Sequence, residues 1–474
     1  MKYRFLCVLI VATLALHAQK KAWTLQECIT YAYEHNLSIR QSELNIQSAG
    51  LNKDAANARL FPTLNFNGGY FWQFGFNIDP ISNVRLAGNR QTSSVTLNSN
   101  WVLFDGMQNY KRISQARLDN MAALYNMDAI KNDMSLNIAS AYLQILLNKQ
   151  VLEVAENQLK ISTNQLKRTE KLYLGGNIPK GDFLQSQAQQ AIDEQSAIAA
   201  KNNHDISLLQ LAQLLQLDNY TGFDIEVPNI DEPESNLLNY TPLQIYNIAL
   251  GKQPDIKSAE ISVESAQKSI EIAKGGYAPI VSLQAQVNSN AAEDFQRVTE
   301  SFTGYIPVGT ITPGGNDFVW SPTQRTVPTA FEPYPFFQQF NDNINQFVGI
   351  GVQVPIFNQF QIRNNVRNSL LQYEQAQLDL ETRKNSLRQT IERAYADAFA
   401  SLKSYKAAER SLEAASESWD YAQKRFEQGA MNFFDYENTR NQYLNSMAQM
   451  LQSKYDYMFK IKVLEFYLTN NITL

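Results

Sequence analysis

Two rhythms of apolar and polar positions divide the chain. In the first, Ile145, Leu152, Leu159, Leu166 and Tyr173 recur every seventh residue beside a seam of Ala141, Asn148, Ala155, Ser162 and Thr169. Large side chains facing small ones let helices approach closely, knob into hole. Gln108 to Leu174 contains neither proline nor glycine, and as one helix it would span ~100 Å at 1.5 Å per residue. A second stretch repeats the code, with Ala398, Tyr405, Leu412, Trp419 and Phe426 beside Ala394, Ser401, Ala408, Ala415 and Ala422. The stripe is narrow and the remaining surface is Gln, Asn, Lys and Glu, so these helices meet water over most of their circumference.

The second rhythm has a period of two, the signature of a strand with unlike faces. In SVTLNSNWVLF (from Ser94), Val95, Leu97, Trp101 and Leu103 oppose Ser94, Thr96, Asn98 and Asn100. Leu64, Phe66, Tyr70 and Trp72 oppose Thr63, Asn65, Asn67 and Gln73; Val281, Leu283, Ala285 and Val287 oppose Ser282, Gln284, Gln286 and Asn288. Val348, Ile350, Val352 and Val354 oppose Phe347, Gly349, Gly351 and Gln353. The predicted strands are 63–73, 94–104, 280–290 and 346–355. Each is about ten residues long, enough for a tilted transmembrane strand. Tyr70, Trp72, Trp101, Phe104 and Phe357 fall near strand ends, where aromatic girdles belong. A sheet laid over the helices would explain the alternation but not polar faces of Asn, Gln, Gly and Thr with hardly a charge; a wet, uncharged lumen explains both. Four strands in lipid leave two edges of unpaired backbone groups, each costing several kcal/mol. Small barrels need about eight strands, so the chain must join others. Two copies or three would satisfy that rule.

Self-similarity explains why everything comes in pairs. WTLQECITYAYEHNLSIRQSE (from Trp23) aligns with YTPLQIYNIALGKQPDIKSAE (from Tyr240) at a shift of 217, which Ala32/Ala249, Ile39/Ile256 and Pro62/Pro279 keep. After the loops the shift is 253, obeyed by Phe104/Phe357, Tyr142/Tyr395, Gly176/Gly429, Asp182/Asp435 and Leu211/Leu464. The difference is 36 residues of extra length between Asn290 and Gln346. The expected organisation is a leader over 1–18, a first repeat over 19–217, an acidic linker over 218–239 and a second repeat over 240–474. Helical hairpins turn near 175–181 and 428–434, where Gly176 and Gly429 supply the left-handed residue that ends a helix. Asp182 and Asp435 then fall in the first turn of the next helix, a favourable place for a carboxylate.

Composition narrows the address. Lys2 and Arg4 precede the apolar run Phe5 to Leu16, and Ala18 could precede a cut, the pattern of a secretory signal. The net charge of −5, or −7 without Lys2 and Arg4, offers no basic footprint for nucleic acid. Cys7 lies in the leader, which leaves Cys28 without a disulfide partner. No later stretch reaches the ~20 apolar residues of a membrane helix; contact with a bilayer must come through strands. His35 and His204 have no Cys, His or carboxylate at metal-ligand spacing, and Gly349-Ile-Gly351 sits inside a strand with no helix to cradle phosphate. No catalytic, cofactor or metal residues are assigned, and an enzyme is not expected.

The doubled plan, with LFDG (Leu103 to Gly106), VPIFN (Val354 to Asn358) and the turns YLGGNIPKGDFLQSQ (from Tyr173) and FEQGAMNFFDYENTRNQY (from Phe426), resembles the outer-membrane efflux conduits of the TolC family. The resemblance covers nearly the whole chain after the leader. It implies an α+β membrane protein: a homotrimer whose chains each give four strands to a shared twelve-stranded barrel, continued by an α-helical tunnel across the periplasm. It also implies a periplasmic adaptor and an inner-membrane RND or ABC-type pump as partners, no cofactor, and loops 74–92 and 289–346 outside the cell. Asp182, Phe426, Asp435 and Asn438 would line the periplasmic constriction, and Gly175, Gly176, Gly429, Ala430 and Met431 the turns where the adaptor docks. Three copies would gather Asp435 into a cation-attracting ring. Two departures from the family matter. Asn438 stands where relatives carry a second aspartate, so the ring would have half the negative charge. The charged latch is also weakened, since Met431 stands where relatives carry a basic residue and Phe426, at the tyrosine position, has no hydroxyl to donate. The closed end is therefore expected to rest on coiled-coil packing with Phe433 and Phe434. A type I secretion duct of the same architecture, and a soluble coiled-coil scaffold, are the alternative functions.

Overall fold

The computed structural model describes residues 22–78, 85–228, 235–293 and 296–472. The expected leader and the centre of the expected linker, 229–234, lie outside the described residues. The chain divides into two compact units. One is helical and comprises described residues up to 52, 115–267 and those from 371 on; the other comprises 53–114 and 268–370 and contains the sheet.

In the helical unit the duplication is legible bond by bond. Helix α1 (Leu25–His35) starts at a capping box in which Thr24 accepts from the Glu27 amide and Glu27 reaches back to the Thr24 amide. At the shift of 217, Thr241 and Gln244 make the same box ahead of the matching helix Pro242–Leu250. Such reciprocal caps satisfy donors that a helix start leaves orphaned. Between these two helices come α2 (Leu37–Ala58), the long helix α3 (Gln108–Leu174, 67 residues) and α4 (Lys180–Leu214). Pro242–Leu250 is thus α5; α6 (Pro254–Gly275) follows. Ala32 and Ala249, Ile138 and Ile391, and Leu211 and Leu464 are all fully buried, so paired positions fill equivalent places in two related cores. Tyr142 donates to the Trp23 and Glu226 carbonyls, and its counterpart Tyr395 to that of Leu238.

The other unit holds a four-stranded antiparallel sheet in the order β1 (Thr63–Gln73), β4 (Arg90–Phe104), β5 (Ile280–Ala292), β10 (Asn345–Gln353). Strand β4 begins four residues before the expected 94, because Arg90 to Ser93 pair with Gln73 to Tyr70; a run of polar residues on both faces carries no alternation to read. β10 stops at Gln353 rather than 355, since Pro355 has no N–H for a ladder. The connection between β1 and β4 carries a short hairpin, β2 (Phe76–Ile78) and β3 (Arg85–Ala87). The connection between β5 and β10 is elaborate: β6 (Gln296–Gly304) pairs with β9 (Arg325–Pro333), β7 (Pro307–Thr310) with β8 (Phe318–Trp320), and a short helix α7 (Phe336–Asp342) precedes β10. Two further helices complete the chain, α8 (Gln361–Glu427, 67 residues) and α9 (Phe433–Thr469).

Strand turns into long helix through two successive left-handed residues, Gly106 and Met107 (φ 70° and 65°) in the first copy, Gln359 and Phe360 (φ 54° and 62°) in the second. Only the first corner needs glycine. A Cβ on Gly106 would lie 2.3 Å from the Gly275 carbonyl oxygen, so the glycine of LFDG is required by a close backbone approach as well as by its φ. Among the described residues no helix is long and apolar enough to cross a membrane.

Candidate functional site

The sheet register sorts the strand faces into rows. Phe66 is opposite Leu97, which is opposite Val287; Trp101 is opposite Leu283, which is opposite Ile350. This apolar face is open to solvent in a single chain, with Phe66 71% and Val348 73% exposed. On the other face Asn65, Asn98 and Gln286 form one row, ended on β10 by Phe347, and Asn67, Thr96, Asn288 and Asn345 form the next. The Asn67 amide donates to Asn98 at 3.2 Å. Apart from Phe347 these rows are amides and hydroxyls, and they carry no charge, which suits a wet surface that attracts neither sign of ion. Aromatic rings on this face lie flat: Phe71 covers Gly69 and Phe347 covers Gly349, each ring where a Cβ would come within 2.6 Å. Glycine two positions away gives a phenyl ring room to fold along the strand instead of standing upright. At the helix-to-strand junction, Trp101 Nε1 donates to the Leu60 carbonyl at 2.7 Å.

The helical hairpins end in matching turns. Asn177 and Gly176 amides donate to the Leu172 and Tyr173 carbonyls, and Ala430 and Gly429 to those of Arg425 and Phe426. These are paired Schellman bonds around left-handed glycines, Gly176 at φ 74° and Gly429 at φ 69°. Gly175, Gly176, Gly429 and Ala430 are exposed, and Met431 is half-buried. Asp182 is half-buried in the first turn of α4. Asp435 is exposed and locked in a reciprocal cap, its amide donating to Asn432 Oδ1 and its carboxylate accepting from Asn432 Nδ2, both at 2.8 Å. Asn438 is exposed one turn on and lines a groove with Asn441, Gln442, Asn445 and Gln449, again without charge. Phe426 does not stand free. It stacks on Tyr436 at 4.6 Å and packs with buried Phe433, Trp419 and Met431. Of the two phenylalanines expected to hold this end, Phe433 enters the cluster and Phe434 is 65% exposed, because neighbours on a helix point about 100° apart.

Sequence reading missed the strongest electrostatic feature. Arg440 of α9 has a side chain only 2% exposed; its Nη2 donates to Asp193 of α4 at 2.6 Å and its Nη1 to Glu437. Asp193 also accepts from Gln189 at 2.9 Å, and the Gln158 amide of α3 is placed to accept from the same guanidinium. Three helices from both hairpins thus converge on one buried cation. Burial, and then the neighbouring Asp193 charge, hold the Glu437 carboxyl above its ordinary range against the pull of Arg440. Asp193 and Arg440 are 247 residues apart; Arg440 lies near the end of the second turn motif, but Asp193 falls outside the first. The one available signal was an arginine and a glutamate three apart on a helix otherwise rich in amides.

The chain joins an open sheet, apolar on one face and lined with amides on the other, to two long helical hairpins. It belongs to the outer membrane efflux protein family, whose pattern it matches over residues 29–216 and 245–464. It is 20% identical to the outer membrane efflux protein BepC of Brucella suis over 453 residues, 95% of this chain and 86% of that protein. Identity to the outer membrane protein TolC of Escherichia coli K12 is 21% over 445 residues, 92% of this chain and 80% of the other. Its fold matches the crystal structure of the outer membrane protein VceC of Vibrio cholerae with a TM-score of 0.67 at 18% identity, covering 94% of this chain and 95% of that one. The protein is accordingly an outer-membrane efflux protein.

Proposed function

We propose that three copies close a twelve-stranded barrel and form the passive exit duct of a tripartite efflux system, fed by a periplasmic adaptor and an inner-membrane pump of RND or ABC type. One observation carries the closure by further copies, with three taken from the family likeness: the sheet ends in β1 and β10, two edges that pair with no other strand among the described residues. An apolar face belongs in lipid, and there an unpaired edge costs several kcal/mol per group. Twelve strands from three copies remove every edge. The uncharged amide rows would line the bore, and the duct performs no reaction of its own. In this reading Asp182, Asp435 and Asn438 border the narrow periplasmic end, with Phe426 acting from behind through the cluster it packs in. Gly175, Gly176, Gly429, Ala430 and Met431 form the tips that meet the adaptor. The first repeat over 19–217 and the second over 240–474 would contribute alike, following removal of 1–18.

Cysteines on the two edge strands test this, one replacing Asn67 of β1 and one scanned from Asn345 to Gly349 of β10. Oxidation should yield a covalent trimer in the outer-membrane fraction. A stable monomer in detergent-free buffer would overturn the duct and leave a soluble scaffold. Photocrosslinkers at Gly176 and Gly429 should capture an adaptor together with a small-molecule pump; capture of a peptide-exporting ABC partner alone would make the duct a secretion exit instead.

A further inference from the structure

The connection between β5 and β10 is far more than a loop. Its foot is fixed: Gln339 of α7, buried, accepts from the Ala292 amide and donates to the Ala292 and Tyr334 carbonyls, all at 2.8 Å. Ser289 Oγ donates to the Phe340 carbonyl at 2.7 Å and Asn343 to that of Asn290 at 2.8 Å. A buried amide that serves both groups of one strand residue acts as an added strand partner, so the extension leaves the sheet on a rigid base. Beyond that base the extension exposes Trp320 at 56%, 6.4 Å from Phe318, and also Phe302, Tyr305 and Phe331. So many exposed rings on one folded extension favour a contact role.

Topology selects the occupant. With antiparallel strands in the order β1-β4-β5-β10, the β1–β4 and β5–β10 connections leave the sheet at the same end. Where β10 of one copy meets β1 of the next, the extension of the first stands beside the β2–β3 hairpin of the second. Phe74, just before that hairpin, and Phe76, within it and covered on one side by the Arg85 guanidinium at 4.4 Å, are also exposed. The charges are complementary: residues 293–344 carry six carboxylates against two arginines, whereas 74–90 carry Arg85 and Arg90 against Asp79 alone. Three such extensions repel one another and are drawn to the neighbouring basic hairpin.

We propose that the 296–333 extension is an intersubunit clasp that lays its aromatic face on the β2–β3 hairpin of the adjacent copy. The clasp rests on the trimer proposed above, and its test separates the two. In the full-length protein, single cysteines at Phe302, Trp320 or Phe331 are each combined with one at Phe76 and oxidised in cells, with the β1–β10 pair as the control for assembly. At least one combination should give covalent dimers and trimers on denaturing gels. A variant with 296–333 replaced by a short glycine-serine turn should still yield the β1–β10 trimer but lose its resistance to SDS at a lower temperature. If the control forms trimers while the clasp pairs link only within one chain or not at all, the clasp is wrong and the trimer stands. Unchanged SDS resistance after the deletion would equally overturn the clasp and leave the trimer in place. If the control itself forms no trimer, the trimer reading falls and takes the clasp with it.

Discussion

The two hairpin turns share a backbone and little else. Both close on a left-handed glycine with the same pair of Schellman bonds, and both long helices are 67 residues. In the first, Pro179 precedes α4 without a side-chain cap, and one stacked pair, Tyr173 on Phe183 at 5.4 Å, lies behind the turn. In the second, Asn432 and Asp435 cap each other, and Phe426, Phe433 and Tyr436 pack with Trp419 and Met431. Two turns above, Arg440 reaches into the first hairpin. Duplication preserved the geometry that hydrogen bonds and φ angles demand, while side chains were free to make the second end the braced one. The second hairpin therefore carries an aromatic cluster at its turn and a buried cation further along α9, where the first has a single stacked pair.

The largest effect should come from breaking the tie between the hairpins. Arg440→Ala leaves two buried carboxylates without their cation and should cost about 3–5 kcal/mol, read as a lower thermal midpoint in detergent and faster hydrogen exchange near Asp193. If the exchange rates at both hairpins stay at wild-type values, Arg440 is a passenger. Removing the plug comes next. Phe426→Ala, at a half-buried site, should cost about 2 kcal/mol, less than the full-burial range for phenylalanine, whereas Tyr173→Ala in the open first hairpin should cost about 1 kcal/mol or less. Equal losses would erase the contrast between the turns.

A smaller effect is set by protons. The Glu437 carboxyl is raised in the folded state, so folding takes up a proton there. The stabilisation is complete below the ordinary carboxylate range and disappears as pH rises through the raised value. The facing groups are Arg440 on its own helix, Asp193 and Gln189 on α4, and Gln158 on α3. The second hairpin should therefore tighten on mild acidification, and Glu437→Gln should flatten the midpoint-against-pH curve over that window. A curve with unchanged slope in the variant would assign the titration elsewhere. Least of all should follow from Asp182→Ala. If packing rather than a charge at the first turn closes the proposed duct, resting conductance in planar bilayers should stay within about twofold of wild type, a change under 0.5 kcal/mol. A many-fold leak would restore a charged latch at the turns.

Much of this was readable in order along the chain. Seven-residue spacing and the absence of proline and glycine determined where the long helices run, since local periodicity decides which face can be buried. Alternation determined four strands with one greasy and one amide face, and the shifts of 217 and 253 made the two halves one design. The turn glycines were equally open, because φ is a property of one residue. Tertiary structure alone decided what meets what across long separations. The union of Arg440 with Asp193, the register that lines Asn65 up with Asn98 and Gln286, and the Gln339 footing of the extension each depend on partners far apart in sequence. A one-dimensional pattern specifies which side of an element seeks cover; which partner supplies it is settled only when the elements pack.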